Sequence, residues 1–287
     1  MSLVQTTPAA HPGWQAHLDL GFQRHGSRTI MAHCAHRGPL QVQRPLYPEG
    51  EAVCHIAILH PPGGVVGGDE LRIEASLESD SHALLTTPAA GKFYRSAGPF
   101  ARQSQCLTVA PGATLEWLPQ ENIVYAGARL HSQTRIDLQD NAHFIGWEIL
   151  CLGRPAAGEL FTTGECRQIF ELYRAGEPLY LEHGRYTGGE AMLDARWGLQ
   201  GQPVTATLLC AATRPGLVEI LRAGWESLAT TTPPGELVTA TQLDGCLVGR
   251  YLGPSTARAR QLFTVAWRLL RPMLLDRPAC PSRFWTT

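Results

Sequence analysis

The chain has 287 residues, which suffices for one large β-rich domain or two smaller domains with a sizeable core. Its 24 Lys and Arg residues nearly balance its 25 Asp and Glu residues, so no overall field would attract nucleic acid or an anionic membrane. Charged residues make up only 17% of the chain beside 29 glycines and 21 prolines, a composition that favours many short strands joined by turns.

The sequence predicts a flexible tail over residues 1–13 and a single β-rich domain over residues 14–287. The tail is rich in Thr, Pro and Ala. Residues 14–20 then alternate between polar and apolar side chains, which predicts the first strand, and residues 29–35 predict the second.

Residues 60–69 form an unusual loop between an apolar strand at 53–59 and an alternating strand at 71–78. Its two prolines fix φ and donate no hydrogen bond, while its two glycine pairs permit positive φ or close approach of another backbone. No Lys-Ser/Thr pair follows the glycines and the next segment is a strand, so the context of a phosphate-binding loop is lacking. We interpret the loop as a structural crossover built by Pro61, Pro62, Gly63, Gly64, Gly67 and Gly68.

A weak internal repeat follows this loop. Segments 80–85, 111–115 and 140–144 each combine a polar or glycine turn, an alanine, any residue and a large apolar residue. The alanines recur about every 30 residues, a spacing typical of solenoid units. The repeat predicts stacked two-strand units in a layered β architecture with solenoid character.

The second half of the chain adds further strands and two helices. Helical spacing of apolar residues runs from Leu217 to Leu228, and Ser255 is a candidate N-cap for a second helix that we expect Pro272 to stop. The predicted fold class is therefore mainly β, with helically arranged strand units forming solenoid-like layered sheets and two α-helices in the C-terminal half.

The eight cysteines are scattered without a Cys-x-x-Cys pair, which favours reduced thiols in a cytoplasmic protein. The sequence shows neither a signal-peptide pattern nor a run approaching the ~18 apolar residues of a membrane span. His33, Cys34 and His36 suggest a metal cluster, but on a strand His33 points away from the other two, so we favour a structural interpretation.

Three carboxylates stand at the ends or in the middle of apolar segments. Glu148 interrupts the apolar run 144–152, Glu182 ends a strand, and Asp69 is the only acidic residue of the loop. A lone buried carboxylate costs several kcal/mol unless it is paired, protonated or bound to a cation. An arginine partner and a functional role are about equally supported, with Arg37, Arg154 and Arg185 as candidate partners.

Residues 92–96 form a basic and aromatic cluster. Lys92, Tyr94 and Arg95 are candidates for contact with a partner protein or an anion. The alternative is a loop packed locally by its aromatic rings, and the balanced charge of the chain argues against nucleic acid.

Several ordered motifs carry a resemblance that runs from about Trp14 to the C-terminus. They are Gly38-Pro39-Leu40, Val42-Gln43-Arg44-Pro45, Tyr47-Pro48-Glu49, His60-Pro61-Pro62-Gly63-Gly64, Gly67-Gly68-Asp69, Lys92-Phe93-Tyr94-Arg95-Ser96, Trp117-Leu118-Pro119-Gln120-Glu121, Leu152-Gly153-Arg154-Pro155 and Trp267-x-x-Leu270-Arg271-Pro272. Together they resemble the urease accessory protein D family (UreD, also called UreH). Mild departures are Gly91, where a small hydroxyl residue is common, and Glu148, where Asp is also common.

The resemblance implies a cytoplasmic, non-enzymatic nickel chaperone. Such a protein would bind a UreF-type partner and thereby hold a UreG-type GTPase against apo-urease for GTP-dependent incorporation of nickel. It implies no tightly bound cofactor but transient Ni²⁺ in an interior tunnel, for which Asp69, Glu148 and Glu182 are the candidates by motif position. The resemblance does not decide whether the chain forms a dimer through the partner complex.

The residues support this interpretation in one respect. Clustered imidazole and thiolate ligands bind Ni²⁺ tightly, whereas spaced oxygen ligands suit passage. Two alternatives remain: a β-solenoid hydrolase that uses a carboxylate pair drawn from Asp69, Glu121 and Glu148, and an interaction scaffold without a metal role. No contact with nucleic acid or membrane is expected.

Overall fold

The structure is a computed structural model, and it describes residues 13–212, 214–228 and 233–285. The predicted tail over residues 1–13 therefore lies outside the described residues except for Gly13. In the described ranges the chain forms seventeen strands and three α-helices, which confirms the prediction of a mainly β protein.

Seven strands form the first sheet, in the order β14-β13-β11-β8-β5-β1-β2. The five central strands of this sheet are parallel and the strand at each edge is antiparallel to its neighbour. In chain order the strands are β1 (Gln15–His25), β2 (Arg28–Arg37), β5 (Glu70–Leu77), β8 (Ala101–Val109), β11 (Arg129–Leu138), β13 (Glu165–Arg174) and β14 (Glu177–Thr187).

The second sheet has the order β16-β17-β15-β12-β9-β6-β4-β3, and the short strand β10 pairs with β12 on one side and with the short strand β7 on the other. Strands β4, β6, β9 and β12 are parallel, and the strands that flank this group are antiparallel. The bounds are β3 (Gln41–Val42), β4 (Cys54–Leu59), β6 (His82–Thr86), β7 (Gly91–Phe93), β9 (Thr114–Leu118), β10 (Asn122–Val124), β12 (His143–Leu152), β15 (Val204–Cys210), β16 (Leu237–Leu243) and β17 (Cys246–Gly253).

The parallel strands follow one another as coils of a solenoid, since the chain alternates between the two sheets. The coils turn at Asp80, Gly112 and Asn141, each with φ between 57° and 71°. These are residue types that tolerate the left-handed region, which explains the repeated turn signal in the sequence. The repeat is confirmed with one change of register, because Ala83 pairs with Leu115 and not with the next alanine of the repeat.

Strand alternation divides the interior into two cores. Phe144, Leu150 and Leu152 of β12 belong to the core between the two sheets. Ile145 and Trp147 belong to a second core, which the outer face of the second sheet forms with helices α2 and α3. Even-numbered side chains of β12 therefore enter the space between the sheets.

The helices are α1 (Ala191–Asp194), α2 (Leu217–Glu226) and α3 (Thr256–Leu275). The predicted cap is present, since the backbone N–H of Arg258 donates to Ser255 Oγ at 3.3 Å. The prediction that Pro272 stops α3 is wrong: the helix continues to Leu275 and ends where Asp276 adopts φ 50°. A proline this close to a helix end removes one backbone hydrogen bond, and the contacts of Arg271 described below hold the last turn in place. None of the helices in the described ranges has the length and apolar character to span a bilayer.

Candidate functional site

A cavity of about 490 Å³ lies between the two sheets. Its walls come from β5 and β8 on one side and from β4, β9 and β12 on the other, and the loop after β4 forms its rim. Most of the lining is apolar, as is usual for a ligand pocket. The polar lining residues are His60, Thr87, Lys92, Gln103, Gln105, Gln120, Asn122 and Glu148.

Glu148 is the carboxylate of this cavity. It is an even-numbered residue of β12, so strand alternation directs it between the sheets, where it is only 7% exposed. Its carboxyl contacts Thr134 Oγ1 and accepts a hydrogen bond of 2.7 Å from Gln168 Nε2. Burial raises the pKa of Glu148 to about 7, against the lowering effect of these two contacts and with a further increase from the charge of Glu182.

The hydroxyl of Thr134 links Glu148 to the first sheet. Thr134 Oγ1 lies 2.8 Å from Gln105 Oε1 and also contacts Glu148 Oε1. Gln105 on β8, Thr134 on β11 and Glu148 on β12 therefore form one chain of polar contacts across the space between the sheets.

Glu182 lies in the same interior but is already paired. Its carboxylate binds Arg250 Nη1 and accepts hydrogen bonds from Tyr180 at 3.0 Å and Thr207 at 2.8 Å. Thr207 stands directly opposite Glu148 in the β12–β15 register. The two glutamates therefore belong to one polar interior region, which we call the interior cluster: Gln105, Thr134, Glu148, Gln168, Glu182, Thr207 and Arg250.

Two buried polar atoms beside the interior cluster have no hydrogen-bond partner among the described residues. They are Trp117 Nε1, in the cavity wall, and Ser132 Oγ, two residues before Thr134 on β11. Burying such groups without a partner costs about 1–3 kcal/mol each, so both atoms fit a hydrated interior that would satisfy them.

Asp69 has a different environment from the two glutamates. One carboxylate oxygen accepts the N–H of Trp14 at 2.8 Å and the other accepts the N–H of Val66 at 2.9 Å. Its side chain thus ties the N-terminal strand to the loop, and it is not part of the cavity lining. The structure brings Glu148 and Glu182 together and places Asp69 apart from them.

Glycine is required at different positions of this loop for different geometric reasons. Gly63 and Gly68 adopt φ of 77° and 97°, a region that other residues rarely occupy. Gly67 has no positive φ, but a Cβ there would overlap Ser96 Oγ and lie 2.7 Å from the carbonyl oxygen of Pro99. After the glycine pair, Val65 exchanges backbone hydrogen bonds of 2.8 Å with β7 and its continuation.

The basic and aromatic segment lies at the rim of the cavity. Lys92 lines the cavity, whereas Tyr94 is 36% exposed and packs edge-on against Tyr125 with ring centroids 5.0 Å apart. Arg95 is exposed, and its side chain approaches Gly127. Lys92 and Tyr94 thus lie beside the glycine loop, where the Tyr94 hydroxyl is 3.4 Å from the carbonyl oxygen of Gly63, and Arg95 is exposed next to them.

Sequence reasoning missed a buried ionic network on the other side of the second sheet. Arg271 of α3 and Glu116 of β9 are both fully buried, with Nε–Oε2 at 3.0 Å. Arg271 also binds Glu49 at 2.7 Å, and Glu116 binds His82 at 2.7 Å and Trp267 at 2.6 Å. Two family-like motifs, around Glu49 and around Trp267 and Arg271, meet here, which is the signal that could have identified the network.

The structure also bears on the other candidate groupings. Of the carboxylates considered for a hydrolase, Glu121 pairs with Arg260 of α3 at 3.0 Å, and only Glu148 lines the cavity. His33, on strand β2, bonds to Asp19 of β1. Across the described part of the chain, no group of three His, Cys, Asp or Glu side chains is placed to hold a metal ion.

Two of the three arginine partners suggested by the sequence are engaged elsewhere. Arg154 pairs with Glu159, and Arg185 pairs with Glu165 at 3.0 Å. The partner of Glu182 is Arg250 of β17, which lies 68 residues away in the chain.

Comparison with known proteins identifies the family. The model of the family described as UreD urease accessory protein matches residues 15–286. A urease accessory protein UreD of Azoarcus sp. (strain BH72) is 50% identical over 100% of this chain and 99% of its own length. The UreD proteins of Pseudomonas fluorescens (strain Pf-5) and Methylobacillus flagellatus are 47% and 42% identical, over 100% and 99% of this chain and 100% and 98% of theirs. The chain belongs to the UreD urease accessory protein family.

Proposed function

We propose that this chain acts in urease maturation as a non-enzymatic nickel conduit and scaffold. In this proposal it binds a UreF-type accessory protein and apo-urease in the cytoplasm, and a UreG-type GTPase is held through the UreF-type partner for GTP-dependent nickel insertion. Family membership supports the role in maturation and the interaction with urease and other accessory proteins. The conduit is supported by the interior cluster.

The observation that carries the conduit is the position of Glu148. Its carboxyl stands in a cavity between two sheets, next to a second glutamate and several neutral oxygen donors. Oxygen donors hold Ni²⁺ less tightly than imidazole or thiolate clusters, so they favour passage over storage. A carboxyl with a pKa near neutrality can also exchange its proton for a cation at modest cost.

Glu148 and Glu182 are therefore the proposed contact points of Ni²⁺ in transit. The role of Asp69 in this proposal is to shape the loop at the rim, because both its oxygens are occupied by backbone N–H groups. Lys92, Tyr94 and Arg95 are proposed contacts for a partner protein at the entrance.

The test uses Glu148→Gln and Glu182→Gln in the co-expressed urease system. Glu171→Gln is the matched control, since Glu171 lies on β13 and bonds to His183 on the outer face of the first sheet. Urease activity, nickel per active site and co-purification of the UreF-type protein are measured together. We expect Glu148→Gln to lower activity and nickel content several-fold while the accessory complex remains intact.

Two results would contradict the conduit. If activity falls only in step with loss of the complex, the glutamates are structural. If both glutamine variants deliver nickel as well as the Glu171→Gln control, the chain is a scaffold without a metal role.

A further inference from the structure

The outer face of the first sheet carries a row of basic residues. Arg102, His131, Arg167 and Arg185 stand directly opposite one another on the adjacent strands β8, β11, β13 and β14. The three arginines are exposed and the histidine is partly exposed. We call these four residues the basic row.

The basic row is only partly neutralised. Glu165 lies 2.9 Å from Arg167, 3.0 Å from Arg185 and 3.7 Å from Arg129, so one carboxylate serves three guanidinium groups. Among the described residues Arg102 forms no ion pair within 4 Å; Glu70 stands opposite it on β5 and ends the row on that side, and Nη1 of Arg102 lies 3.4 Å from Nδ1 of His131.

The environment of His131 agrees with a positive surface potential. Burial, and then the charges of Arg102 and Arg167, lower the pKa of its imidazole. Like charges placed directly opposite across strands destabilise a sheet. The side chains of the basic row point away from both cores, and Arg167 also lies over the ring of Phe100 at 5.2 Å from its centroid.

We propose that the basic row is a docking surface for an acidic segment of a partner protein. This inference rests on the proposed scaffold function and adds the chemistry of one contact. Neighbouring strands are about 4.8 Å apart, so the row spans about 14 Å. In an extended segment, carboxylates at positions i, i+2 and i+4 share one face and span nearly the same length, about 13–14 Å.

The rest of the surface favours a protein partner over nucleic acid. The chain as a whole carries a net charge of −1, so a long polyanion would find no general attraction beyond the row. Farther along the same face of the sheet the charges are balanced, since Arg135 pairs with Asp137 on β11 and Arg72 pairs with Glu74 on β5. The positive region is therefore short and bounded, as a specific acidic segment requires.

The experiment compares a triple variant with a control of equal charge. The test variant carries Arg102→Gln, Arg167→Gln and Arg185→Gln. The control carries Arg44→Gln, Arg196→Gln and Arg268→Gln, which remove three exposed arginines from other elements. Purified apo-urease and purified UreF-type protein serve as separate probes, and binding is measured at about 50 mM and about 300 mM NaCl to vary screening. Thermal melts establish that both variants are folded.

We expect the test variant to bind one of the two probes at least about tenfold more weakly at low salt, mainly through a lower association rate. The control should bind both probes like the wild type. The difference between wild type and test variant should shrink at high salt. In the wild type, the pKa of His131 followed by NMR should rise when that probe is bound, because the acidic segment would offset the neighbouring arginines.

The outcomes separate this inference from the proposed function. If the wild type binds neither probe, both the docking surface and the proposed scaffold function are refuted. If the wild type binds a probe and the test variant binds it as well as the control does, only the docking surface is refuted. Retention on a DNA duplex that depends on the basic row, with unchanged protein binding, would also overturn it.

Discussion

Replacing Arg271 with Met is predicted to be the most damaging single change in the C-terminal helix. Arg271 is fully buried, and its guanidinium contacts the carboxylates of Glu116 and Glu49 as well as the carbonyl oxygen of Pro278. Methionine fills much of the same volume but donates no hydrogen bond. The substitution therefore leaves two buried carboxylates without their shared cation.

The magnitude follows from that imbalance. Removing one partner of a buried ion pair costs about 3–5 kcal/mol, because the remaining charge stays desolvated. His82 and Trp267 still contact Glu116, and His55 still contacts Glu49, so part of the cost is offset. We expect a loss of about 3 kcal/mol, which is a large share of the about 5–15 kcal/mol that stabilises a typical domain.

The assay is thermal or urea unfolding of the chain, alone and in complex with the proposed UreF-type partner. Arg268→Met is the matched control, because Arg268 is exposed on the same helix one turn earlier. A stability loss of this size should lower the melting temperature by about 6–12 °C, whereas the control should change it by no more than about 1–2 °C. Arg271→Lys should restore only part of the loss, since an ammonium cannot reproduce the guanidinium geometry.

Two results would refute the reasoning. One is an Arg271→Met variant as stable as the Arg268→Met control. The other is strict additivity with Glu116→Gln, because residues of one network should show coupling of about 0.5–3 kcal/mol in a double-mutant cycle.

Three further predictions concern pH, the loop carboxylate and the loop glycines. Burial alone would raise the pKa of Glu116, but His82 and Arg271 lower it from 4.5 to about 2. The lowered pKa corresponds to about 3 kcal/mol of folding stability. This contribution is fully present above pH 4.5 and should be lost as the pH falls from 4.5 toward 2. Unfolding curves of Glu116→Gln, compared with wild type across that range, should lack this component. Asp69→Ala should lower the melting temperature and increase proteolysis within residues 60–69, since it frees two backbone N–H groups; unchanged protection would contradict the loop role. Gly68→Val should destabilise through its positive φ and Gly67→Val through overlap with Ser96, so Ser96→Gly should partly rescue only the second variant in a thermal melt.

Local patterns in the sequence determined most of the fold class. Alternation and turn residues predicted the stacked strands, because the left-handed turns at Asp80, Gly112 and Asn141 require particular residue types wherever they occur. The helix cap at Ser255 was likewise legible, since a capping hydrogen bond joins residues three apart. The end of α3 could not be predicted from the sequence, because a proline near the terminus costs little once Arg271 anchors the last turn.

The sequence also identified Asp69 and Glu148 as buried carboxylates, the latter because a charge inside an apolar run must enter a core, but it missed Glu116. It could not assign their partners. Asp69 is satisfied by the backbone of Trp14, Glu182 by Arg250, and Glu116 by Arg271 at a separation of 155 residues. Strand order alone decides which side chains meet across a sheet or beneath a helix, and that order depends on packing of the whole chain. For the same reason the basic row was invisible until four strands brought Arg102, Arg167 and Arg185 into register.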